Sequence, residues 1–83
     1  MRKTSIRYRE LRSFLERLGF QVQKEKKGWR FEHSTSGIIF LFRPYRPNDF
    51  VYEFDAFEVR SALDWNGLVA AEVFNDSLTK TPA

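Results

Sequence analysis

One histidine stands in this chain, and the residues around it could, between them, handle RNA. In KKGWRFEHSTSG (Lys26 to Gly37), His33 follows a basic turn and precedes a polar turn that ends in glycine. Histidine titrates near neutral pH, so it can take or give the proton that moves when a 2′-hydroxyl attacks its own phosphodiester. Lys24, Lys26, Lys27 and Arg30 could hold the phosphates, and Tyr45, between Arg43 and Arg46, could stack on a base with phosphate contacts on either side. Each of these residues also has a plainer role. His33 sits at a strand end, four lysines and arginines make a solvated hairpin tip, and Tyr45 lies in a loop stiffened by Pro44 and Pro47. Catalysis by His33 needs a partner acid or base, and alternation places the neighbouring Glu32 on the other face of the strand. A transition-metal site is not expected, because there is one His and no Cys to share an ion. No cofactor motif is present.

The elements that must carry these residues follow from periodicity. Tyr8, Leu11, Phe14, Leu15 and Leu18 form one apolar helical stripe, with Thr4 or Ser5 as the expected N-cap and Gly19 as the C-terminal stop. After Gly19 the period becomes two. Phe20 and Val22 face one way, a turn at Lys26–Gly28 follows, and Trp29, Phe31 and His33 share a face opposite Arg30 and Glu32. Ser34 to Gly37 form a second turn. Ile38 to Phe42 are apolar on both sides, which implies a central strand or one covered by helices. Pro44 ends that strand. Phe50 to Phe54 could be a further short strand or a covering loop. Asp55 and Glu58 suggest a capped helix whose inward residues are Val59, Ala62 and Leu63. Asn66-Gly67 closes it, and a last helix is expected over 68–78. The fold class is therefore α+β: α-β-β-β-α with a three-stranded antiparallel sheet, helices on one face, and a short C-terminal helix. One domain is expected over 1–78, with 79–83 a loose tail.

Composition narrows the function classes. The chain has 83 residues, nine Phe, three Tyr, two Trp and no Cys. So small a domain buries only roughly 60% of its unfolded surface. Its fourteen aromatics cannot all be expected inside, and Phe50, Tyr52, Phe54 and Trp65 are the candidate contact surface for a protein partner or a homodimer. The longest apolar run, Ile38–Phe42, is far short of the roughly 20 residues that span a bilayer, and no apolar segment follows the basic start. A cytoplasmic protein with no membrane partner is the expectation. Net charge is +3, with a balance of +7 in residues 1–30 and −4 in 31–83. That asymmetry suits a polyanion on one side and a different partner on the other.

Taken in order, LRSFLERLGF, then KKGWRFEHSTSGIIFLFRP, then VRSALDWNGLVAAEVF resemble the HicA family of small toxins. That resemblance implies a double-stranded-RNA-binding-domain-like fold, cleavage of mRNA, and an antitoxin-like partner. It departs at one position. The family's catalytic histidine follows a glycine in a Gly-Ser-His type motif, whereas here Gly28 is followed by Trp29 and Arg30. His33 matches a histidine at the far end of the strand to which the family gives no chemistry. Arginine cannot accept a proton at ordinary pH, so Arg30 could bind phosphate or stabilise charge but not serve as a base. The resemblance thus implies a nuclease-deficient relative that grips RNA or a protein partner. The alternatives are an active mRNA interferase with a rearranged site around His33 or a carboxylate, and an interaction module with no nucleic-acid role. The acidic start of the second helix, Glu53, Asp55 and Glu58, opposes a second phosphate contact there.

Overall fold

The computed structural model describes residues 2–78, and the expected loose tail at 79–83 lies outside them. It is α+β, with five strands and three helices: β1 (Lys3–Arg7), α1 (Tyr8–Arg17), β2 (Gln21–Glu25), β3 (Gly28–His33), β4 (Ile38–Phe42), β5 (Phe50–Tyr52), α2 (Glu53–Trp65) and α3 (Ala71–Leu78). The central feature is the expected antiparallel sheet, in the order β2-β3-β4. Alternation along each strand puts Phe20, Phe31, His33, Phe40 and Phe42 on a buried face. There they meet Leu11, Phe14 and Leu15 of α1, Val59 and Leu63 of α2, and Phe74 of α3. Each apolar side chain among them contributes about 1.5–3 kcal/mol by leaving water. No helix among the described residues is long and apolar enough to cross a membrane.

A second, smaller sheet is the first departure from expectation. Residues 3–7 form β1, which pairs antiparallel with β5, Lys3 opposite Tyr52 and Arg7 opposite Phe50. Thr4 is therefore no helix cap. Its hydroxyl donates to the Val51 carbonyl (2.9 Å) and accepts the Ile6 N–H (3.0 Å). The start of α1 is satisfied instead by a distant loop: the Tyr8 N–H donates to the Asp49 carbonyl (2.7 Å) and the Arg9 N–H to the Pro47 carbonyl (3.0 Å). Glu10 reaches back to accept the Arg7 N–H (3.0 Å), which satisfies a further donor of that turn.

Three further boundaries shift. Helix α2 begins at Glu53, so Asp55 lies inside its first turn rather than capping it, and is buried. The last helix starts at Ala71, because the N–H groups of Leu68 and Val69 are still used on the Leu63 carbonyl at the end of α2. Strand β4 is an edge strand, not a central or covered one. Phe40 and Phe42 face the core, while Ile39 and Leu41 stand in solvent on the open face of the sheet.

Gly28 explains how the sheet is drawn together at the Trp29 end. Its φ is +155°, and a Cβ there would lie 1.8 Å from the Phe42 carbonyl oxygen. Only glycine allows β3 and β4 to meet so closely where β3 leaves the Lys26-Lys27 turn.

Candidate nucleic-acid interface

Trp29 is the meeting point of the candidate residues. It lies on the helix-facing side of β3, half-buried, opposite Lys24 of β2 and Phe42 of β4. Its indole N–H donates to the Tyr45 carbonyl (3.1 Å). Tyr8 stacks with it at 5.7 Å between ring centroids, and Tyr45 stacks with Tyr8 at 5.5 Å. Two cations lie over the indole, the Arg12 guanidinium at 5.1 Å and the Lys24 ammonium at 5.5 Å. Arg12 also pairs with Glu16 (3.5 Å) one turn along α1. Lys26 and Lys27 stand exposed at the hairpin tip just before β3. The result is an aromatic platform edged with positive charge, next to two free lysines.

The seven residues expected to bind RNA do not all share this surface. Lys24 belongs to it, with Lys26 and Lys27 adjoining. Arg30 does not: it projects from the open sheet face and pairs with Glu32 (3.3 Å). Arg43 is exposed but already engaged, its Nε 3.4 Å from Asp55 and its guanidinium over the Tyr52 ring at 4.3 Å. Arg46 is exposed, in a turn where its own N–H donates to Asp49 (2.8 Å).

Tyr45 overturns its expected role outright. It is 6% exposed, so no base can stack on it. Its hydroxyl donates to Asp55 (2.5 Å) and accepts the Tyr52 N–H (2.9 Å), fastening the proline loop to α2 and β5. Burial, reinforced by the hydrogen bond to the Asp55 carboxylate, pushes the Tyr45 phenol well above its ordinary value. Burial likewise raises Tyr8 to about 12, against a smaller opposing pull from Arg12. Neither phenol is poised to exchange a proton near neutrality.

His33 is built into the core side of the sheet, 8% exposed. Its Nδ1 accepts the Ser36 N–H (3.2 Å), with the Ser36 hydroxyl 2.8 Å away. An accepting Nδ1 assigns the ring proton to Nε2, which lies against Gly19, and Phe20 covers the ring at 5.0 Å between centroids. It closes the Ser34–Gly37 turn. Trp29 and His33 stand at opposite ends of β3, so the histidine and the cation-edged platform are not one site.

The four aromatic candidates for a partner surface are also divided. Phe50 lies under the Arg7 guanidinium (4.6 Å) and Tyr52 under Lys3 (5.5 Å) and Arg43, around a small pocket of about 200 Å³. Phe54 opens instead onto a groove of about 610 Å³ between β1, α2 and α3, whose floor includes Ile6, Ala56 and Phe74. Trp65 is 90% exposed, eleven residues further along α2. Phe57 also stands in solvent beside Phe54, with Arg60 over its ring (5.3 Å).

Arg12 was the residue hardest to foresee. It reads as one of four arginines around the first helix, and only its place one turn after Tyr8 hints at the indole beyond. No family model, curated protein or solved structure matches the chain.

Proposed function

We propose that this domain binds single-stranded RNA without cleaving it, through the Trp29 platform with Arg12, Lys24, Lys26 and Lys27. The observation that carries the reading is the indole flanked by two cations at 5.1 and 5.5 Å. A base can stack on such a ring while Arg12 and Lys24 turn to its phosphates, and stacking of this kind is worth about 1–3 kcal/mol per base. Catalysis is withheld because the groups around the platform are poorly suited to it. Tyr8 holds its proton, Arg12 cannot lose one, and Glu16 is tied to Arg12. His33 lies at the other end of its strand. This is the behaviour expected of a HicA-like chain in which Trp29 and Arg30 stand where the resemblance implies a catalytic histidine.

The test is fluorescence anisotropy with a labelled, unstructured RNA at several salt concentrations. Affinity is expected to fall with salt. Lys26→Ala with Lys27→Ala is expected to flatten the logarithmic slope by about 1.4, at roughly 0.7 per lost phosphate contact on a single strand. Absent binding, or an unchanged slope in the double variant, refutes the proposal.

A second reading, a toxin–antitoxin-type partner protein, is favoured by the apolar groove under Phe54 and Phe57. Phe54→Asp should abolish capture of such a partner while leaving RNA affinity intact. The reverse result would point back to the platform.

A further inference from the structure

Strand β4 has a free edge among the described residues. Residue pairing across β3 and β4 sets Trp29 opposite Phe42, Phe31 opposite Phe40, and His33 opposite Ile38. The Lys26-Lys27 turn makes Glu25 and Gly28 a hydrogen-bonded pair, so Gly28, Arg30 and Glu32 turn their main chains to β2 while Trp29, Phe31 and His33 turn theirs to β4. The Phe42 carbonyl oxygen confirms this phase, since it faces β3 at Gly28. By alternation, the N–H and C=O groups of Ile39 and Leu41 point away from the sheet. Among the described residues, no strand lies beyond β4 to receive them.

The side chains of the same two residues are also unpartnered. Ile39 is 44% and Leu41 70% exposed, both on the open face. Sheet edges are ordinarily guarded by charges, proline or bulges. The other edge, β2, follows that rule, with Gln21, Gln23, Lys24 and Glu25. IIFLF has none of these.

We infer that β4 forms an antiparallel edge-to-edge homodimer, with the two-fold axis at Phe40, Ile39 opposite Leu41 of the second copy and Leu41 opposite its Ile39. In that register both outward residues of each chain become hydrogen-bonded pairs, giving about four new main-chain bonds. The strand meets its own requirements because an antiparallel edge is self-complementary under a two-fold axis. Side chains agree as well. Each row of the joined face runs Gln23, Arg30, Leu41, then Ile39, Glu32 and Gln21 of the second copy. A four-residue apolar strip is thus flanked by charges of opposite sign, and no like charges meet. So short a ladder falls below the ~1,000 Å² of a robust interface, so the dimer dissociates readily. The inference uses neither the platform nor the groove, and stands apart from the RNA reading.

Sedimentation equilibrium over a concentration series tests it. The wild-type mass is expected to climb from 9.9 kDa toward twice that value, whereas Leu41→Lys, a change at an exposed side chain, stays monomeric with an unaltered circular dichroism spectrum. The register is tested by disulfide trapping, since the chain has no cysteine of its own. An equimolar mixture of Ile39→Cys and Leu41→Cys chains should cross-link, while either variant alone should not, because like positions lie beyond the ~7 Å Cα limit for a disulfide. A wild type monomeric at the highest concentration, a Leu41→Lys chain that still dimerises, or equal cross-linking of the single variants overturns the proposal.

Discussion

Tyr45→Phe separates a structural tyrosine from a nucleic-acid contact in one substitution. The change deletes only the hydroxyl, and the ring keeps its stacking against Tyr8. Two bonds are lost. Asp55, itself 7% exposed, loses the short bond from the phenol and keeps Arg43 at 3.4 Å. The Tyr52 N–H loses its acceptor at 2.9 Å. A hydrogen bond to a charged group contributes about 1.5–3 kcal/mol, and a stranded part-buried donor costs about 1 more. The expected loss is therefore about 3 kcal/mol, out of roughly 4–12 for a chain of this size. It should appear as a lower urea midpoint with an unchanged m-value, and as a melting temperature reduced by about 12–24 °C. RNA affinity, measured where the variant remains folded, should not move. If Tyr45 stacked on a base, the opposite pattern would follow: stability within about 0.5 kcal/mol of wild type, and altered RNA affinity. That pattern would refute the burial argument.

Three other outcomes follow from the same geometry. Gly28→Ala should fail to fold or lose native sheet signals by NMR, because its methyl would collide with backbone at Phe42 that no rotamer change can move; a variant with native dispersion and melting temperature would contradict this. The part of the stability that Tyr8 and Tyr45 contribute should be level below about pH 10 and fall above it, since both carry phenols raised above the unfolded value of 10. The folded chain holds those protons longer than the unfolded one, so their contribution is complete below the unfolded value and is lost as pH rises through the folded ones. Denaturant midpoints read against tyrosinate absorbance check it, and ionisation of all three tyrosines near pH 10 without unfolding would refute it. His33→Gln should leave any RNA binding unchanged and cost about 1–2 kcal/mol through the Ser36 turn; a loss of RNA turnover on this change would instead make His33 catalytic.

Local pattern reads best where local pattern decides. The stripe from Tyr8 to Leu15 fixed α1, and the two-residue alternation through Phe31 fixed the inner face of the sheet. Val59 and Leu63 fixed the inner side of α2. What escaped was non-local. Nothing in KTSIR announces a partner strand more than forty residues away, and the carbonyls of Pro47 and Asp49 displaced the cap that Thr4 seemed to offer. The apolar run of β4 misled for a related reason. Hydrophobicity on both faces ordinarily signals a covered strand, and here one face is left open.

The site was harder to read because its residues come from three segments. Lys24 and the hairpin lysines are neighbours in sequence, and their clustering is visible there. Lys24 meets Trp29 across the hairpin, but their meeting with Arg12 depends on α1 lying across the sheet at the Tyr8 end, which sequence spacing does not encode. Tyr45 shows the converse. An aromatic between two arginines in a proline loop has the composition of a base-stacking motif, and Asp55 takes it out of solvent.

The division of charge then acquires a physical meaning beyond net balance. The basic half supplies the hairpin and α1, whose Lys24 and Arg12 meet over one indole. The acidic half supplies α2 and α3, where Glu53, Glu58, Asp64, Glu72 and Asp76 are exposed, Glu53 at the apolar groove itself. A polyanion drawn to Trp29 would be repelled from α2, so the two surfaces cannot compete for the same ligand. If RNA and a protein partner both bind, the simplest expectation is independence: the RNA dissociation constant should be the same with Phe54 free or replaced by Asp. A coupled response would require a shared element, and Tyr45 is the candidate, since it joins the Trp29 indole to Asp55 on α2 through consecutive hydrogen bonds. Tyr45→Phe should then abolish the coupling. Coupling that survives it would have to travel by another route through the core.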